Sequence, residues 1–561
     1  MTAPDRSASH IPSVPPAEVP AEADLPAQAS LGSVSTPPLT EPQPGRFGFF
    51  RFSHKHTAAS AALLLGIFAL VSRGIGLVRD KYIAYTFGAG SATDAYNIAF
   101  NLPDLVNYFL IGGAASISFI TILSRYREQG RDEEGQVALS VILNTMALVL
   151  GAALLLAEFL VPFYIRIYSK HDPVQDALAV RMTRILLPGQ LFFFAGGVLA
   201  SVALVRKQFT YQAVSSLVYP VCIIAGGLLG AHHLGIPSLA WGALVGTFCG
   251  PFLVNAYAAH RAGVRYRPIL DFQNEGLRSW VKMSVPLMFG VTVVFMDTQI
   301  LQFFAKHATG DISRLMNAKK LFTAPMAIIG QAAGAASLPF FASLYSRERH
   351  EDFRNAVNRS VTRIISVALL LTAAMCALSV PLCDLVLRGG HYTRADSTET
   401  ALFVSIFSLS LALWSSQAIY IRAFFAAGQT LPPMLAGTII TIISLPVYWG
   451  LYTHFGVIGL AWASNLAILV HTLTLAILLH KRYLVPLGGL DLSEIARSFL
   501  AALLSIAGVL LLERFAPLHH SYVGDIALLL AGTAVWAAIG LTTLRLTGSK
   551  LSSQILRRKA A

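Results

Sequence analysis

Fourteen runs of about 20 predominantly apolar residues, separated by short polar loops, occupy most of this 561-residue chain. They lie near 58–86, 93–123, 137–164, 178–205, 213–232, 237–259, 279–304, 313–345, 358–383, 399–427, 432–452, 456–480, 494–513 and 523–546. Inside a bilayer each backbone N–H and C=O must be satisfied within its own segment, so runs of this kind cross as α-helices. The sequence predicts an all-α polytopic membrane protein. Composition agrees, with 55% of residues hydrophobic, 13% charged and a mean hydropathy of +0.61. A soluble domain of this length has a far more polar balance.

The net charge of +13 would suit a nucleic-acid partner if the basic residues formed one soluble patch. Instead they fall in alternate loops: Arg125, Arg127 and Arg131; Arg206 and Lys207; Arg261, Arg265, Arg267 and Arg278; Arg347, Arg349, Arg354 and Arg359; Lys481 and Arg482. The intervening loops, such as 87–93, 231–236 and 453–455, are nearly bare. By the positive-inside rule both termini are cytoplasmic, as an even number of spans also requires. No nucleic-acid partner is expected. Residues 1–55 are rich in Pro and Ala, as in Ile11-Pro-Ser-Val-Pro-Pro16, and read as a disordered cytoplasmic tail. Residues 547–561 read as a basic cytoplasmic tail carrying Lys550, Arg557, Arg558 and Lys559. Cys222, Cys249, Cys376 and Cys383 lie in apolar runs without metal-ligand or disulfide spacing, and are expected to be packing residues.

Two segment pairs match at one offset. Gly113-Ala-Ala-Ser-Ile-Ser-Phe119 returns as Gly334-Ala-Ala-Ser-Leu-Pro-Phe340, and Gly235-Ile-Pro-Ser-Leu-Ala-Trp241 as Gly456-Val-Ile-Gly-Leu-Ala-Trp462, each 221 residues later (334 − 113 and 456 − 235). The repeat predicts two six-helix lobes, 56–260 and 278–482, followed by an extra helix pair at 493–546. Six spans per lobe make the repeat parallel, an arrangement in which transporters place the substrate between the lobes and rock them in alternating access. A duplicated scaffold without transport is the competing account.

Charged residues inside these runs are the candidate site. Arg73 sits near the middle of the first run, where a charge costs at least about 2.5–3.5 kcal/mol and calls for a cavity, path or partner. Asp80 lies two turns further on the same face, with Arg79 turned away from it, and Lys81 is read as an interfacial lysine. In the eighth run Arg314 and Asn317 share a face, Lys319 and Lys320 follow, and Lys320 is the deeper cation. Arg73, Arg79, Lys320, Arg314 and Asn317 are therefore expected to bind an anionic substrate, Arg through its planar fork and Lys as a point charge. Asp94 opens the second run, where an acid acts as a cap or a gate; Asp80 is assigned to the same structural or gating class. Asp297, inside the seventh run, either binds a coupling cation or proton or pairs structurally; Asn465 and Gln417 are possible oxygen-bearing partners. Signatures for nucleotide, metal or acyl-transfer chemistry are absent, so a transporter is expected rather than an enzyme, with no metal and no cofactor, driven by an ion gradient or the membrane potential.

Several blocks of this chain resemble the MurJ (MviN) family of lipid II flippases, within the multidrug/oligosaccharidyl-lipid/polysaccharide exporter superfamily. They are Ser72-Arg-Gly-Ile-Gly-Leu-Val-Arg-Asp80, Phe87-Gly-Ala-Gly-Ser-Ala-Thr-Asp-Ala95, Ala99-Phe-Asn-Leu-Pro103, Ala318-Lys-Lys-Leu-Phe-Thr-Ala-Pro325 and Arg422-Ala-Phe-Phe-Ala-Ala-Gly-Gln-Thr430. The resemblance puts Arg73, Arg79 and Lys320 on the family's cavity cations and Asp94 on its acid after the first helix. Departures fall at Asn107 and Tyr108, where members usually carry paired arginines, and at Gly112, where an acid is usual. It implies a flippase of the bacterial cytoplasmic membrane that moves undecaprenyl-pyrophosphate-linked peptidoglycan precursor outward. Its partners would be that lipid-linked anionic glycan, membrane lipids and the cell-wall synthesis machinery. A translocase of another lipid-linked oligosaccharide and a cation-coupled multidrug exporter are the alternatives.

Overall fold

The computed structural model describes residues 58–110, 119, 122–123, 125–169, 172–206, 209–288, 293–515 and 521–551. The expected N-terminal tail, the end of the basic C-terminal tail, Gly112 and the first copy of the Gly-Ala-Ala-Ser repeat before Phe119 lie outside them. The described residues form helices joined by loops, with no β-strand among them. All four cysteines are free.

The first lobe comprises α1 (Ala58–Phe87), α2 (Ser91–Leu110), α3 (Asp132–Tyr168), α4 (Pro173–Leu186), α5 (Gly189–Val205), α6 (Phe209–Leu234), α7 (Pro237–Thr247) and α8 (Asn255–Arg261), the last two joined through a π-helical stretch around Pro251. Local chemistry sets the ends. Helix α3 opens on Asp132, Glu133 and Glu134 and carries Arg166 in its last turn, both matching the helix dipole. Helix α4 starts at Pro173 behind Asp172, whose carboxylate accepts from the Val174 N–H at 3.0 Å. Small residues let α6 and α7 touch backbone to backbone: a Cβ added at Gly242 would stand 2.6 Å from the Cys222 carbonyl.

A linker, 262–274, then runs along α3. Gln136, Ser140 and Asn144, spaced by four on one helix face, bind it through the Arg265 N–H (3.1 Å), the Arg267 N–H (3.1 Å) and the carbonyls of Arg267 (3.0 Å) and Ile269 (2.9 Å). The seventh expected span follows as two helices with different neighbours. Helix α9 (Glu275–Met288) lies against α3 and α2, with Trp280 among Phe119 and Phe194 of the first lobe. Helix α10 (Val293–Ala305) lies in the second lobe.

That lobe continues with α11 (Asp311–Met326), α12 (Ala332–Ser346), α13 (His350–Ala377), α14 (Ser379–Val386), α15 (Arg394–Ser408), α16 (Leu411–Ala426) and α17 (Leu431–Lys481). The 51 residues of α17 would exceed any bilayer as one rod. Gly456, at φ +60°, breaks it into two antiparallel arms. Helices α18 (Leu492–Phe515) and α19 (Tyr522–Leu546) pack on each other and against α13 and α14.

Positive-φ residues recur in the two lobes at equivalent turns: Gly88 and Gly310, Gly130 and Glu348, Gly235 and Gly456, Gly263 and Tyr483. Their separations, 222, 218, 221 and 220 residues, follow the offset seen in the sequence (310 − 88, 348 − 130, 456 − 235, 483 − 263). Among the described residues eight helices are long and apolar enough to cross a membrane, or nine when the bent pair α15–α16 counts as one span. Two of the other expected spans are short or polar: α10 has 13 residues, and α11 carries Asp311, Arg314, Lys319 and Lys320 in 16.

Gly242→Ala is expected to lower the melting temperature in detergent by an overpacking cost of about 1–3 kcal/mol. Gly450→Ala, where an added Cβ meets nothing within 4 Å, should leave it unchanged.

Candidate substrate cavity between the lobes

Helix α2 presents Tyr96, Phe100, Asp104 and Tyr108 at a spacing of four, with Asn97 and Asn101 beside them, so that one polar and aromatic stripe faces the second lobe. Opposite stand Phe295, Thr298, Gln299 and Gln302 of α10 and Met316, Lys319, Lys320 and Thr323 of α11; Arg79 of α1 and Tyr219 of α6 complete the wall. Together they enclose a cavity of about 580 Å³. Side chains bridge it. The Asn101 amide donates to Gln302 Oε1 at 2.9 Å, and the Tyr108 ring stacks on Phe295 with centroids 4.4 Å apart.

The charged centre is Asp80. Its Oδ1 accepts from Arg79 Nε at 3.1 Å and Nη2 at 2.9 Å, and lies 3.5 Å from Lys320 Nζ. One buried carboxylate thus holds a guanidinium of the first lobe and an ammonium of the second. Asp104 adds a second acid to the same wall.

Asp94 caps a helix, but not its own. Its oxygens accept from the Gly310 N–H (2.6 Å), the Ser313 N–H (2.8 Å) and the Ser313 hydroxyl (2.5 Å), satisfying the first-turn donors of α11 in the other lobe. Gly310, at φ +86°, leaves no room for a side chain, since a Cβ would stand 2.9 Å from the Ala89 carbonyl. Nearby, the His391 N–H donates to the Tyr85 carbonyl at 3.0 Å, and Lys306 Nζ donates to the Ile167 carbonyl at 2.7 Å. Lys81 reaches the carbonyls of Leu385, in the last turn of α14, and of Arg388 just beyond it, with the Tyr522 ring beneath it at 5.0 Å. It is a tie to the second lobe rather than a snorkelling lysine. All these contacts lie at the end of the molecule that carries the bare loops.

Other expected site residues fall elsewhere. Arg73 is exposed and outside the cavity wall; Arg79, six residues and about 9 Å further along the helix, stands with Lys320 in its place. Arg314 is paired with Asp396 (2.9 Å), Asp311 (2.5 Å) and Glu399 (2.8 Å) and does not line the cavity. Asn317 meets the Tyr392 hydroxyl, which also contacts Thr400, within the second lobe. Asp297 is not an open cation site. Lys319 occupies one of its oxygens and the Tyr448 hydroxyl the other, while Ser464 lies 3.3 Å from Lys319 Nζ. The rings of Phe407 and Trp414 sit 4.7 and 5.3 Å from that ammonium. Asn465 points away, donating to the Ile406 carbonyl at 2.5 Å, and Gln417 pairs with His471 at 2.8 Å. Among the described residues no cluster of His, Cys, Asp or Glu could hold a metal ion.

Sequence reasoning missed the α2 stripe, although its spacing of four is a readable helical signal, and Tyr219, which had none.

Residues 83–529 match the family described as lipid II flippase MurJ. The chain belongs to the MurJ family. It is 25% identical over 439 residues to the lipid II flippase MurJ of Burkholderia cenocepacia, covering 75% of this chain and 84% of that one. It is also 25% identical over 425 residues to the probable lipid II flippase MurJ of Haemophilus influenzae, covering 71% and 81%. A solved lipid II flippase MurJ in an inward closed conformation superposes with a TM-score of 0.72 at 21% identity, covering 86% of this chain and 99% of that one. A multidrug resistance MATE family transporter in an inward-facing conformation shares the fold more distantly, with a TM-score of 0.61 at 13% identity, covering 75% and 98%.

Lys319→Met is expected to destabilise the protein by about 3–5 kcal/mol by stranding a buried carboxylate. Combining it with Asp297→Asn should recover most of that loss, read as the melting temperature in detergent.

Proposed function

We propose that this chain flips lipid II, carrying the undecaprenyl-pyrophosphate-linked peptidoglycan precursor from the cytoplasmic to the outer leaflet of the bacterial cytoplasmic membrane. The observation that carries the reading is the Arg79–Asp80–Lys320 group at the wall of an interlobe cavity in a MurJ-family chain. A pyrophosphate entering the cavity competes with Asp80 for both cations. Its several oxygens suit the fork of Arg79 and the point charge of Lys320 better than one shared carboxylate oxygen does. The polyprenyl chain stays in lipid while the headgroup crosses between the first lobe, with α9 packed on it, and the second lobe from α10 to α17, the two bodies that rock about the cavity. Both termini face the cytoplasm, which makes the bare-loop end, tied by Asp94 and Lys81, the sealed outer side.

Energy enters without a nucleotide. Lys319 already fills the place beside Asp297 that a coupling cation would need. Outward movement of an anion down the membrane potential gains about 2.3 kcal/mol per charge per 100 mV, so the potential itself is the driving force we favour over an ion gradient. Transport is then non-catalytic and uses no cofactor. The cell-wall synthesis machinery would take the product on the outer side.

A second reading, export of an amphipathic cation, rests on Asp104 and on the Tyr108–Phe295 stack in the same cavity. Proteoliposomes holding lipid II, another undecaprenyl-diphosphate sugar or a cationic dye separate the readings. Lipid II should be flipped and the dye retained; dye efflux without flipping would reverse the assignment. In the same assay Arg79→Ala should lower the initial rate tenfold or more, the scale of about 1.4 kcal/mol, at normal membrane abundance. Lys320→Arg should keep most of the rate, and Asp297→Asn should keep the wild-type response to sodium and pH.

A further inference from the structure

A second charged cavity lies away from the interlobe one and shares no residue with it. It occupies the seam where α18 and the segment after α19 meet α13, at the end of the molecule that carries the basic loops, and holds about 190 Å³. Helix α13 lines it with Arg359, Thr362, Arg363 and Ser366, whose spacing i, i+3, i+4, i+7 sets them on one face. Asp491 and Glu494 line the opposite side.

Those two acids are committed to the chain's own donors. Glu494 accepts from the Ser549 hydroxyl, the Leu551 N–H (3.1 Å) and the Lys550 N–H (3.2 Å), with Arg497 3.7 Å away. Asp491 accepts from the Ser493 hydroxyl (2.7 Å), the Lys550 ammonium (2.9 Å) and the Glu494 N–H (3.2 Å). The Ser493 and Lys550 bonds hold its carboxyl below the usual carboxylate range. The acids therefore fasten the C-terminal segment to the start of α18.

The α13 side is different. Arg359 and Arg363, one turn apart, have no hydrogen-bond or ion-pair partner among the described residues. Ser366 is fully buried, yet its hydroxyl has no partner either. Buried hydroxyls are rarely left so. Arg359 and Arg363 are exposed, so solvent screens their mutual repulsion, and an anion bound between them beside Ser366 would be attracted by both. Past Arg363 the helix is apolar, and past Arg497 so is α18, which places this seam at headgroup depth.

We propose that the seam binds a phosphate group, presented by an anionic phospholipid of the membrane, with Arg359 and Arg363 on its charge and Ser366 on one of its oxygens. Basic pockets between helices at the cytoplasmic surface suit such headgroups. A bound phosphodiester would tie the terminal helix pair to α13 of the second lobe through lipid as well as through the Asp491 N–H, which donates to the Thr362 hydroxyl at 3.2 Å.

The test uses the full chain in detergent micelles, with native mass spectrometry counting retained lipid and thermal unfolding reading stabilisation. The probes are phosphatidylglycerol, phosphatidylethanolamine and inorganic phosphate. The wild type should retain phosphatidylglycerol about tenfold over phosphatidylethanolamine, and Arg359→Gln with Arg363→Gln should abolish that preference. The paired Lys substitutions should keep part of it, and Ser366→Ala, which preserves the helix, should weaken it. Stabilisation by inorganic phosphate equal to that by phosphatidylglycerol would identify the same site with a soluble source. A wild type without preference or phosphate response, or a Gln variant that retains phosphatidylglycerol as the wild type does, overturns the proposal. If the Gln variant does not fold, Ser366→Ala decides, and unchanged retention there overturns it too.

Discussion

An ionised side chain inside an apolar helix must find a partner, and in this protein that requirement joins the two lobes. Asp80 stands between Arg79 of α1 and Lys320 of α11, and Asp94 of α2 closes the N-terminus of α11. Both acids belong to the first lobe, and both reach the same helix of the second. Removing one partner of a buried ion pair costs far more than the intact pair contributes, so these contacts register the lobes rather than add much net stability. A substrate anion that competes for the same cations acts directly on that registration.

The contacts divide by depth. At the bare-loop end the ties are backbone groups and fixed charges: Asp94 on the Gly310 and Ser313 amides, Lys81 on carbonyls at the end of α14, the His391 amide on Tyr85. At the other end the lobes are joined covalently by 262–274, which Gln136, Ser140 and Asn144 fasten to α3, and by α9, which stays with the first lobe. The second lobe therefore begins, in packing terms, between α9 and α10. Lys81 also meets Tyr522 of α19, so the terminal pair touches the same tie that links α1 to α14.

Much of this was legible in the residues, because the bilayer leaves few alternatives. Apolar runs became helices, and the repeat offset reappeared as matched left-handed turns. Depth in a run located Lys320 as a cavity cation. Depth alone misjudged Arg73 against Arg79, since which face of α1 looks into the cavity is decided by its packing on α6. Asp94 could be read as a cap, yet Gly310, which opens the helix it caps, lies 216 residues later. Arg314 looked free because only Asp311 is near it in sequence; Asp396 and Glu399 come from α15. Partners brought by tertiary structure are what a linear reading lacks.

Adjacent lysines make the same point at closer range. Successive residues on an α-helix point about 100° apart, so Lys319 and Lys320, though both at the cavity wall, aim their ammonium groups at different partners. Lys319 is fixed inside the second lobe by Asp297, Tyr448 and Ser464, under the rings of Phe407 and Trp414. That anchoring sets the rotation of α11 about its own axis, and with it the direction of Lys320. The buried pair thus has a consequence for the cavity although it binds nothing itself: it aims Lys320 across the lobe boundary at Asp80. A cation bound reversibly at Asp297 would leave that aim dependent on occupancy, whereas a resident ammonium makes it a constant of the fold.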